Sequence, residues 1–578
     1  MMPRVISSPI VCLMLVITAI LGVGYASAQS GALVFSTYLG GATPFVSGAT
    51  PLTFAQNAAC DTQGNIYVTG ATTVSDLPGT TNAFQPIPAP NSTMSAFVAK
   101  FNPAGQLLWC TYLGGNNQSM GVGVAAMPNG GVAVAGLTTS DISGPFPTMN
   151  AFQAQNKGLS DYFITIFDAN GNLQYSTYLG GSGVEGPLPP NTFVDDSNNG
   201  NPVAVDAAGL VYVAGITSSS GSGGTAKFPV TPNALQSELA GSPDACLSII
   251  NPSLGLNSLI YASFLGGTGN DQGHSIAVNA SGGNIALGGY TNSLNFPTTP
   301  NAYRNTAPPA TFTSNGFITQ IQSSQPGSPS SVYTMSYSTY LGANTGDARD
   351  DTYGITLDPT GLIVATGRTQ SAHFPKTKGG PSVFPTAPYL TPKTSNDQPY
   401  VVKINPSLSS TNSLVYSTFL GGGTSGANLH NNWGGFGTSV GVDSQGGVYV
   451  GGETGKNTPG GQYAPATVAP QPFPYTSNAM TQAPQGSFDA ILMQIAPGGS
   501  TLGYSTYLGG TDSDRTYGLA VDPSGNVVLS GLTFSANLPI YNQAQQYPNN
   551  GAQNAFVTKF SAANFQQNHS YLLLLLND

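Results

Sequence analysis

The sequence predicts an all-β protein, a seven-bladed β-propeller whose blades are four-stranded antiparallel sheets. Three observations predict this fold: one strand phrase recurs seven times, further strand phrases accompany each copy, and the two chain ends hold complementary parts of one repeat. Repetition at a fixed period is typical of repeat architectures, and four strands per repeat is the content of a propeller blade. Length alone would suggest three or four domains at roughly 150 residues each, but the repetition favours a single ring.

The recurring phrase reads FSTYLGG, CTYLGG, STYLGG, SFLGG, STYLGA, STFLGG and STYLGG. Its β-branched and aromatic residues are typical of a strand, which we assign as the last strand, D, of each repeat. Its leucines are spaced by about 78 residues on average: Leu39, Leu113, Leu179, Leu265, Leu341, Leu420 and Leu508.

Two more strands joined by a tight turn follow each of the seven copies, and the turn motif after the second copy is weaker. VAVDAAGLVYVAG from Val203 and LAVDPSGNVVLSG from Leu519 are clear examples of this A–B phrase. Asp or Asn opens such a turn by bonding its own backbone, and glycine supplies the positive φ. Another strand, C, precedes the D phrase, as in AFVAKF from Ala96 and YFITIF from Tyr162. One repeat therefore holds strands A to D.

The chain ends predict how the ring closes. After the first 28 residues comes a lone D-type strand at 33–41, and the last strand, at 555–560, is C-type without a D partner. Pairing the two would complete the seventh blade and remove exposed strand edges. We predict a propeller over residues 29–561, followed by a C-terminal tail at 562–578.

Residues 1–28 are predicted to be a secretory signal peptide. Arg4 supplies a positive end, residues 10–23 an apolar stretch, and Ala26-Ser27-Ala28 a small-residue cleavage site. The apolar run is shorter than the ~20 residues that span a membrane, and no later segment is long enough, so no transmembrane segment is expected. We expect a secreted or otherwise extracytoplasmic protein, with attachment to the cell surface left open.

Composition restricts the partners and the redox chemistry. The formal net charge is −10 and only 7% of residues are charged. An acidic surface repels nucleic acid and anionic lipid, so neither is an expected partner. Cys60, Cys110 and Cys246 fall at strand positions, where we expect thiols that pack as small apolar groups rather than a disulfide.

The order of phrases resembles the SBBP repeat, a bacterial β-propeller repeat of exported proteins. STYLGG is followed by the AVDxxGNxYV stretch, an FPxTxxA element and an AFVAKF strand. The FPxTxxA copies begin at Phe146, Phe228, Phe296 and Phe473. The AVDxxGNxYV stretch is also, more weakly, similar to NHL repeats. The resemblance implies a propeller fold and an extracytoplasmic location, and it brings no catalytic residues.

The D–A connections are the predicted place for a ligand site. They share one face with the long B–C connections, and variable loops on a rigid scaffold commonly carry sites. A ring of carboxylates there could hold a calcium ion, or with a tryptophan could bind a sugar. Asp residues that only cap polar turns are the alternative, and the spacing is not that of an EF-hand, so the metal stays undetermined and no other cofactor is expected. The candidate ligand-binding residues are Trp433, His430, Asp195, Asp271, His274, Asp350, Asp514 and Arg515.

Catalytic signals are weak. Residues 437–441 match the GxSxG string, yet they lie where other repeats place strand A, with no helix following. The sequence has no HExxH, no Cys/His spacing for zinc and no phosphate loop. We predict no catalytic residues and favour a protein that is not an enzyme.

Two function hypotheses remain. The first is an exported binding and scaffold module, extracellular or at the cell surface, for a glycan or a protein partner. The alternative is an extracellular carbohydrate-active hydrolase or lyase that uses carboxylates of the D–A face. Hydrolysis needs two acids about 5–5.5 Å apart for retention or about 6.5–9.5 Å apart for inversion. A purely structural role at the envelope stays open, and the sequence gives neither the ligand nor the oligomeric state.

Overall fold

The computed structural model describes residues 33–186, 200–220, 227–306, 314–342, 349–371, 374–375, 397–421, 435–455, 473–542 and 553–565. These residues contain 28 β-strands and three short 3-10 turns. The predicted signal peptide, and the candidate residues Trp433, His430 and Asp195, lie outside the described residues.

The strands, numbered along the chain, are β1 (Leu33–Leu39), β2 (Thr53–Cys60), β3 (Ile66–Thr72), β4 (Ser92–Phe101), β5 (Leu107–Leu113), β6 (Asn117–Ala126), β7 (Val132–Thr138), β8 (Asp161–Phe167), β9 (Leu173–Leu179), β10 (Val203–Val205), β11 (Val211–Thr217), β12 (Asp244–Ile250), β13 (Leu259–Leu265), β14 (Asp271–Val278), β15 (Asn284–Thr291), β16 (Asn315–Ser323), β17 (Tyr333–Leu341), β18 (Asp350–Leu357), β19 (Ile363–Thr369), β20 (Gln398–Ile404), β21 (Leu414–Phe419), β22 (Gly435–Val442), β23 (Val448–Gly455), β24 (Phe488–Ile495), β25 (Leu502–Leu508), β26 (Asp514–Val521), β27 (Val527–Thr533) and β28 (Asn554–Phe560). The 3-10 turns are Pro252–Asn257, Ser410–Ser413 and Ala562–Asn564.

Among the described residues these strands form seven four-stranded antiparallel groups, which we call blades 1 to 7. Blades 1 to 6 are β2–β5, β6–β9, β10–β13, β14–β17, β18–β21 and β22–β25, each in the chain order A, B, C, D. Blade 7 combines β26, β27 and β28 with β1. A short parallel pairing of β4 with β6 joins blades 1 and 2 into one eight-stranded sheet. The predicted all-β class and four-stranded antiparallel sheets are confirmed.

The N-terminal strand pairs with the last strand of the chain, as predicted. In this antiparallel pair Thr37 lies opposite Val557. Strand A of blade 7, β26, also packs against strand A of blade 1, β2, as the A strands of other neighbouring blades do. These are the contacts that a closed seven-bladed ring requires. The blade count and the closure stay a prediction that these contacts support.

The A–B turns have the geometry that the sequence predicts. In blade 7, Asp522 Oδ1 accepts the backbone N–H groups of Ser524 and Asn526, both at 2.9 Å. Gly525 has φ +78°, a conformation that residues with a Cβ resist. The second carboxylate oxygen of Asp522 lies 2.8 Å from the Lys559 ammonium of strand C, so the turn is also tied to the blade by a buried ion pair.

The chain packs back on the sheet after its last strand. Phe565, at the start of the predicted tail, is buried and its ring centroid lies 5.2 Å from those of Tyr449 and Tyr504. This contact extends the ordered core of blades 6 and 7 a few residues past the predicted boundary. No helix in the described ranges is long and apolar enough to cross a membrane.

Candidate axial site

A β-bulge interrupts strand A at the same place in six of the described blades. The bulge inserts one extra residue opposite strand B, which re-aims side chains and bends the strand. Because the six bulges occur at equivalent strand positions, their inserted residues form one layer around the centre. Bulges are also frequent beside functional sites. The inserted residues are Gln56, Val122, His274, Tyr353, Thr438 and Tyr517, and all are buried.

His274 and Tyr353 are the bulge residues of neighbouring blades 4 and 5, and they stack. Their ring centroids are 5.4 Å apart with an interplanar angle of 15°, and Tyr290 meets the imidazole edge-on. Burial lowers the pKa of His274 to about 4, so the imidazole is neutral at neutral pH. The sequence placed His274 before strand A, whereas the structure places it within β14 as part of the buried channel layer.

The segment Gly200–Asn201 crosses this layer where blade 3 has only a three-residue strand A. The Gly200 carbonyl accepts the Asn57 side-chain amide at 2.9 Å. Asn201 bonds both neighbours of blade 3: its amide donates to the Val124 carbonyl and its own carbonyl accepts the Ile276 N–H, each at 3.0 Å. Backbone contacts to strands of three other blades therefore close the channel at this level.

Charged side chains form a compact network beside the bulges of blades 5 to 7. Asp351 Oδ2 accepts the Nε–H groups of Arg368 at 2.7 Å and Arg349 at 2.9 Å. Burial opposes the charge of Asp351, but the two guanidinium groups outweigh it and hold the pKa of that carboxyl below its usual value. The Arg368 guanidinium also lies over the rings of Tyr353 and Phe436. Asp351 and Arg368 are buried and paired with each other, so they stabilise the channel wall, while Arg349 reaches them from the surface.

A ring of small residues surrounds the axis on the other side of the bulges. Each lies in the second half of a strand A, three residues beyond the bulge where one is present, and each is half-buried. Because side chains alternate along a strand, this position faces the same side as Asn57, whose amide reaches Gly200 in the channel. We call the set the axial ring: Ala59, Ala125, Ala204, Ala277, Thr356, Gly441 and Ala520.

An axial cavity of about 300 Å³ opens where the axial ring leaves space. Residues from the innermost strands of all seven blades line it, including Ala125 and Ala277 of the axial ring. Its polar groups are uncharged amides and hydroxyls: Asn57, Asn201, Ser275, Thr356 and Ser439. Among the residues that the structure describes, the lining contains no carboxylate or cationic side chain. Because every lining strand is past its bulge, the cavity lies toward the A–B turns, opposite the D–A face that the sequence favoured.

Asp271 and Asp514, two predicted ligand residues, are bound within their own blades. Asp271 Oδ2 accepts the Gly267 N–H and the Ser293 hydroxyl, both at 2.7 Å. Asp514 Oδ2 accepts the Gly510 N–H at 2.8 Å, and its blade also supplies two hydroxyl donors. Both carboxyl groups are fully buried, and burial raises the pKa of each.

The other described candidates do not gather at one point. Asp350 begins β18 and is fully buried beside the blade 4–blade 5 junction. Arg515 is half-buried, with its Nε 3.2 Å from Glu453 Oε2 and its guanidinium 4.9 Å from the centre of the Phe488 ring. Ligand binding by the predicted residues stays a prediction, since Trp433, His430 and Asp195 lie outside the described ranges.

The remaining chemical signals have structural explanations. The GxSxG string falls inside strand β22, with Ser439 next to the bulge, so it is a strand as predicted rather than a nucleophile turn. The three described cysteines are free, and burial raises the pKa of Cys60 at the cavity edge to about 12. The described residues contain no group of three or more His, Cys, Asp or Glu side chains suited to a metal ion.

Two segments of the chain, residues 34–78 and 503–539, match the family model of SBBP, a beta-propeller repeat. The match places SBBP-like repeats at these two segments. Each repeat, as matched, covers strand D of one blade and strands A and B of the next. The recognition made from the STYLGG and AVDxxGN phrases is therefore confirmed at these residues. A comparison with curated proteins finds no match.

Several solved structures follow a similar course of the chain, but their overall structural agreement with this protein is low. One is a gluconolactonase from Xanthomonas campestris, 10% identical over 71% of this chain and 94% of its own, with TM-score 0.26. A putative gluconolactonase is 9% identical over 77% and 92%, with TM-score 0.27. A quinohemoprotein alcohol dehydrogenase from Pseudomonas putida is 9% identical over 92% and 76%, with TM-score 0.28. At these TM-scores the similarity carries no argument about activity or cofactor.

Proposed function

We propose that the protein is an exported β-propeller that acts as a binding module and holds the end of a neutral glycan in the axial cavity. Export is supported by the signal-peptide pattern and by the resemblance to repeats of exported proteins. The observation that carries the binding proposal is the uncharged cavity built by all seven innermost strands. Its volume of about 300 Å³ lies at the lower limit for small-molecule sites, which suits one or two sugar units.

The chemistry of the lining favours a sugar over an ion or a charged metabolite. Sugars present hydroxyl groups around apolar C–H faces, and the cavity pairs Asn and Ser groups with Ala and Val surfaces. Asn57 and Ser275 each directly follow the bulge residue of their strand, and they supply an amide and a hydroxyl to this lining. A charged ligand would lose its hydration here without finding an ion pair.

Binding is favoured over the hydrolase or lyase alternative for the same reason. Glycoside hydrolysis needs two carboxyl groups on either side of the scissile bond. The cavity lining has none, and Asp271 and Asp514 are inaccessible and bound in their own loops. A protein partner bound on the loop-rich face is the second candidate, because the D–A and B–C connections differ from blade to blade.

A glycan array with three variants of residues 29–578 tests the proposal. Ala125→Phe fills the axial cavity from a half-buried position, and Ala104→Phe makes the same change on an exposed turn. Trp433→Ala tests the D–A face that the sequence predicted. Each array is run with and without calcium, because the metal is undetermined.

The expected result is a set of neutral glycans that the parent chain and the Ala104→Phe variant bind alike and that Ala125→Phe binds at least tenfold more weakly. Binding lost only in Trp433→Ala would move the site to the D–A face. Absence of any glycan signal, with capture of a protein instead, would contradict the glycan proposal and favour the scaffold role.

A further inference from the structure

Neighbouring blades meet at a junction with a recurring backbone geometry. The N–H of the residue that begins strand A, or in blade 3 of Glu185, which pairs with Thr217 at the equivalent place, donates to the carbonyl of the residue just before strand C of the preceding blade. The first side chains of these two strands therefore lie next to each other, between the blades. The bonds are Glu185 to Ser160 at 3.1 Å, Asp271 to Pro243 at 2.8 Å and Asp350 to Ser314 at 3.1 Å.

At the junction of blades 2 and 3 the two neighbouring side chains are both acids. Asp161 and Glu185 are fully buried and are in hydrogen-bonding contact with each other. The oxygens Asp161 Oδ1 and Glu185 Oε2 have no donor from any other described group. Gly180, the first glycine of a YLGG phrase, lies directly against both oxygens, so that a Cβ there would be 2.7 Å from Glu185 Oε2.

The remaining oxygens of the pair are fully occupied by neutral donors. Asp161 Oδ2 accepts the side-chain amide of Gln153 at 2.7 Å and the backbone N–H of Lys157 at 2.9 Å. Glu185 Oε1 accepts the hydroxyls of Thr217 at 2.8 Å and Ser219 at 2.5 Å. Neutral donors orient the two carboxyl groups but leave the repulsion between two negative charges in place.

Two buried carboxylates in contact cannot both ionise at low cost, because the protein interior screens their repulsion weakly. One proton converts the repulsion into an O–H···O⁻ hydrogen bond, and the proton then belongs to the pair. Burial and the charge of Glu185 together raise the pKa of Asp161 to about 8, against the N–H donors of Lys157 and Gln153, which lower it. Burial also raises the pKa of Glu185.

Two more described junctions bring two acids against one glycine, but there Asp244 Oδ1, Asp271 Oδ2 and Asp514 Oδ2 already accept N–H or hydroxyl donors. Asp244 and Asp271 meet between blades 3 and 4, where a Cβ on Gly266 would lie 2.7 Å from Asp244 Oδ1 and 2.8 Å from Asp271 Oδ2. Burial raises the pKa of Asp244 to about 6. Asp489 and Asp514 flank Gly509 in the same way between blades 6 and 7.

The other titratable groups that face these pairs are phenols, thiols and one exposed acid. Phenols and thiols are neutral at neutral pH, so they neither replace the proton nor neutralise a second carboxylate. For the first pair they are Tyr162, Tyr178 and Cys246; for the second, Cys246 and Tyr340; for the third, Tyr38, Tyr507 and Asp512.

We propose that the junction of blades 2 and 3 holds one proton shared between the carboxyl groups of Asp161 and Glu185, so that these two blades are locked together in mildly acidic conditions and loosen as the pH rises. This proposal is independent of the proposed ligand. A carboxyl group whose pKa is higher in the folded than in the unfolded chain stabilises the fold as the pH falls toward its unfolded value near 4, and the stabilisation is lost as the pH rises through the folded value. For Asp161 this loss begins above about pH 4 and is complete above about pH 8.

The chain contains its own proton-free version of the junction, which defines the matched variants. Between blades 4 and 5 the residues are Asn315 and Asp350, an amide beside an acid, around Gly342. Asp161→Asn therefore converts an acid pair into the natural amide–acid pair, and Asn315→Asp makes the reverse change. Asp512→Asn removes an exposed acid two residues from Asp514 and serves as the control for net charge.

Thermal unfolding of residues 29–578 from pH 5 to pH 9 measures the effect. We expect the parent melting temperature to fall by about 5 °C between pH 6 and pH 9. Asp161→Asn should reduce this fall, Asn315→Asp should increase it, and Asp512→Asn should follow the parent. Infrared spectra at pH 7 should show the C=O stretch of a neutral carboxylic acid, and this band should be weaker in Asp161→Asn.

Equal pH slopes of the melting temperature for the parent, Asp161→Asn and Asn315→Asp would overturn the proposal. If Asp161→Asn fails to fold, an unchanged slope in Asn315→Asp overturns it alone.

Discussion

The Ser-Thr-Tyr triplet of the recurring phrase is explained by three different hydrogen bonds. All three fasten the B–C connection of the same blade, which carries the FPxTxxA element. The two sequence phrases are therefore two sides of one contact, and each is needed for the other. In blade 4 the bonds are Ser338 Oγ to the Pro297 carbonyl at 2.6 Å, Thr339 Oγ1 to the Arg304 carbonyl at 3.1 Å, and Tyr340 OH to the Ser293 carbonyl at 2.9 Å.

Tyr340→Phe tests this contact at the level of one hydroxyl. The phenol donates to the Ser293 carbonyl and accepts the Phe296 N–H at 3.0 Å, and all three residues are buried. Its removal leaves a buried donor and acceptor unpaired, which should lower the free energy of unfolding by about 1–3 kcal/mol. Urea unfolding checks the value. Tyr475→Phe, at an exposed phenol, should change it little, and equal losses would show that the hydroxyl contact is unimportant.

The role of an individual acid could be predicted from the sequence only where its hydrogen-bond donors lie in the same turn. Asp522 opens an A–B turn and bonds its backbone as predicted, because the donors lie within four residues. Asp271 and Asp514 begin strand A, and their partners include hydroxyls about twenty residues away, just past strand B. The sequence pattern cannot show that hydroxyls far along the chain donate hydrogen bonds to these carboxylates. The sequence therefore predicts these acids as ligand-binding residues.

At the scale of the element, the first glycine of each LGG phrase stands just after strand D. There the chain passes between two neighbouring side chains. A Cβ at this glycine would collide with the first residue of strand C, as with Asp161 at Gly180 and Asp489 at Gly509. These glycines have ordinary negative φ, so space rather than backbone conformation requires glycine here. Close packing of the blades thus selects the glycine.

Gly180→Ala should destabilise the protein by about 1–3 kcal/mol, the usual effect of overpacking. The added methyl group meets the two carboxyl groups of Asp161 and Glu185, which have no free space to move into. Gly498→Ala, in a C–D turn where the nearest group, the Ser500 hydroxyl, lies 3.9 Å away, is the matched control. Denaturant unfolding compares the two, and an undisturbed Gly180→Ala variant would contradict the packing argument.

The strands themselves were predictable, whereas the bulges were not. Alternating apolar residues and Asp-Gly turns locate strands A to D along the chain. A bulge adds one residue inside a strand without changing its composition, and only pairing with strand B reveals it. In blade 4 the pairing shifts between Gly273 and Ser275, and this shift alone makes His274 a channel residue instead of a turn residue.

At the scale of the whole molecule, the contact between blade 7 and blade 1 links the two ends of the chain. Lys559 of β28 forms a buried ion pair with Asp522 at 2.8 Å and also donates to the Pro103 carbonyl of blade 1 at 3.2 Å. Lys403 forms the same pair with Asp358 inside blade 5, at 2.7 Å. The two lysines differ in the bond across the junction, which makes them a matched pair.

Lys559→Met should cost about 3–5 kcal/mol, because it leaves the buried Asp522 carboxylate without its partner. Lys403→Met breaks the equivalent ion pair but loses no charged hydrogen bond to a neighbouring blade. Its loss in the free energy of unfolding should therefore be smaller than that of Lys559→Met by about 1.5–3 kcal/mol. Urea unfolding at one pH measures both. A Lys403→Met variant as destabilised as Lys559→Met would show that the blade 7–blade 1 contact adds nothing to stability.

The axial cavity is a property of the whole molecule, because each blade contributes only one to four residues to it. The signal was present in the A–B phrases as the small residue two places before the turn Asp, as in Ala204 before Asp206 and Ala520 before Asp522. In the sequence of one repeat this residue looks like any other strand position. Its role in the cavity becomes visible only when the innermost strands of the seven blades are seen together. Sequence reasoning therefore favoured the variable D–A loops, and the constant feature of the repeat was passed over.

A crystal structure of residues 29–578 grown with the best neutral glycan from the array tests the central claim most directly. The account predicts sugar density in the axial cavity, with hydroxyl groups within hydrogen-bonding distance of Asn57 or Ser275 and the apolar sugar face against Ala125 or Ala277. Density on the D–A face with an empty axial cavity would contradict it.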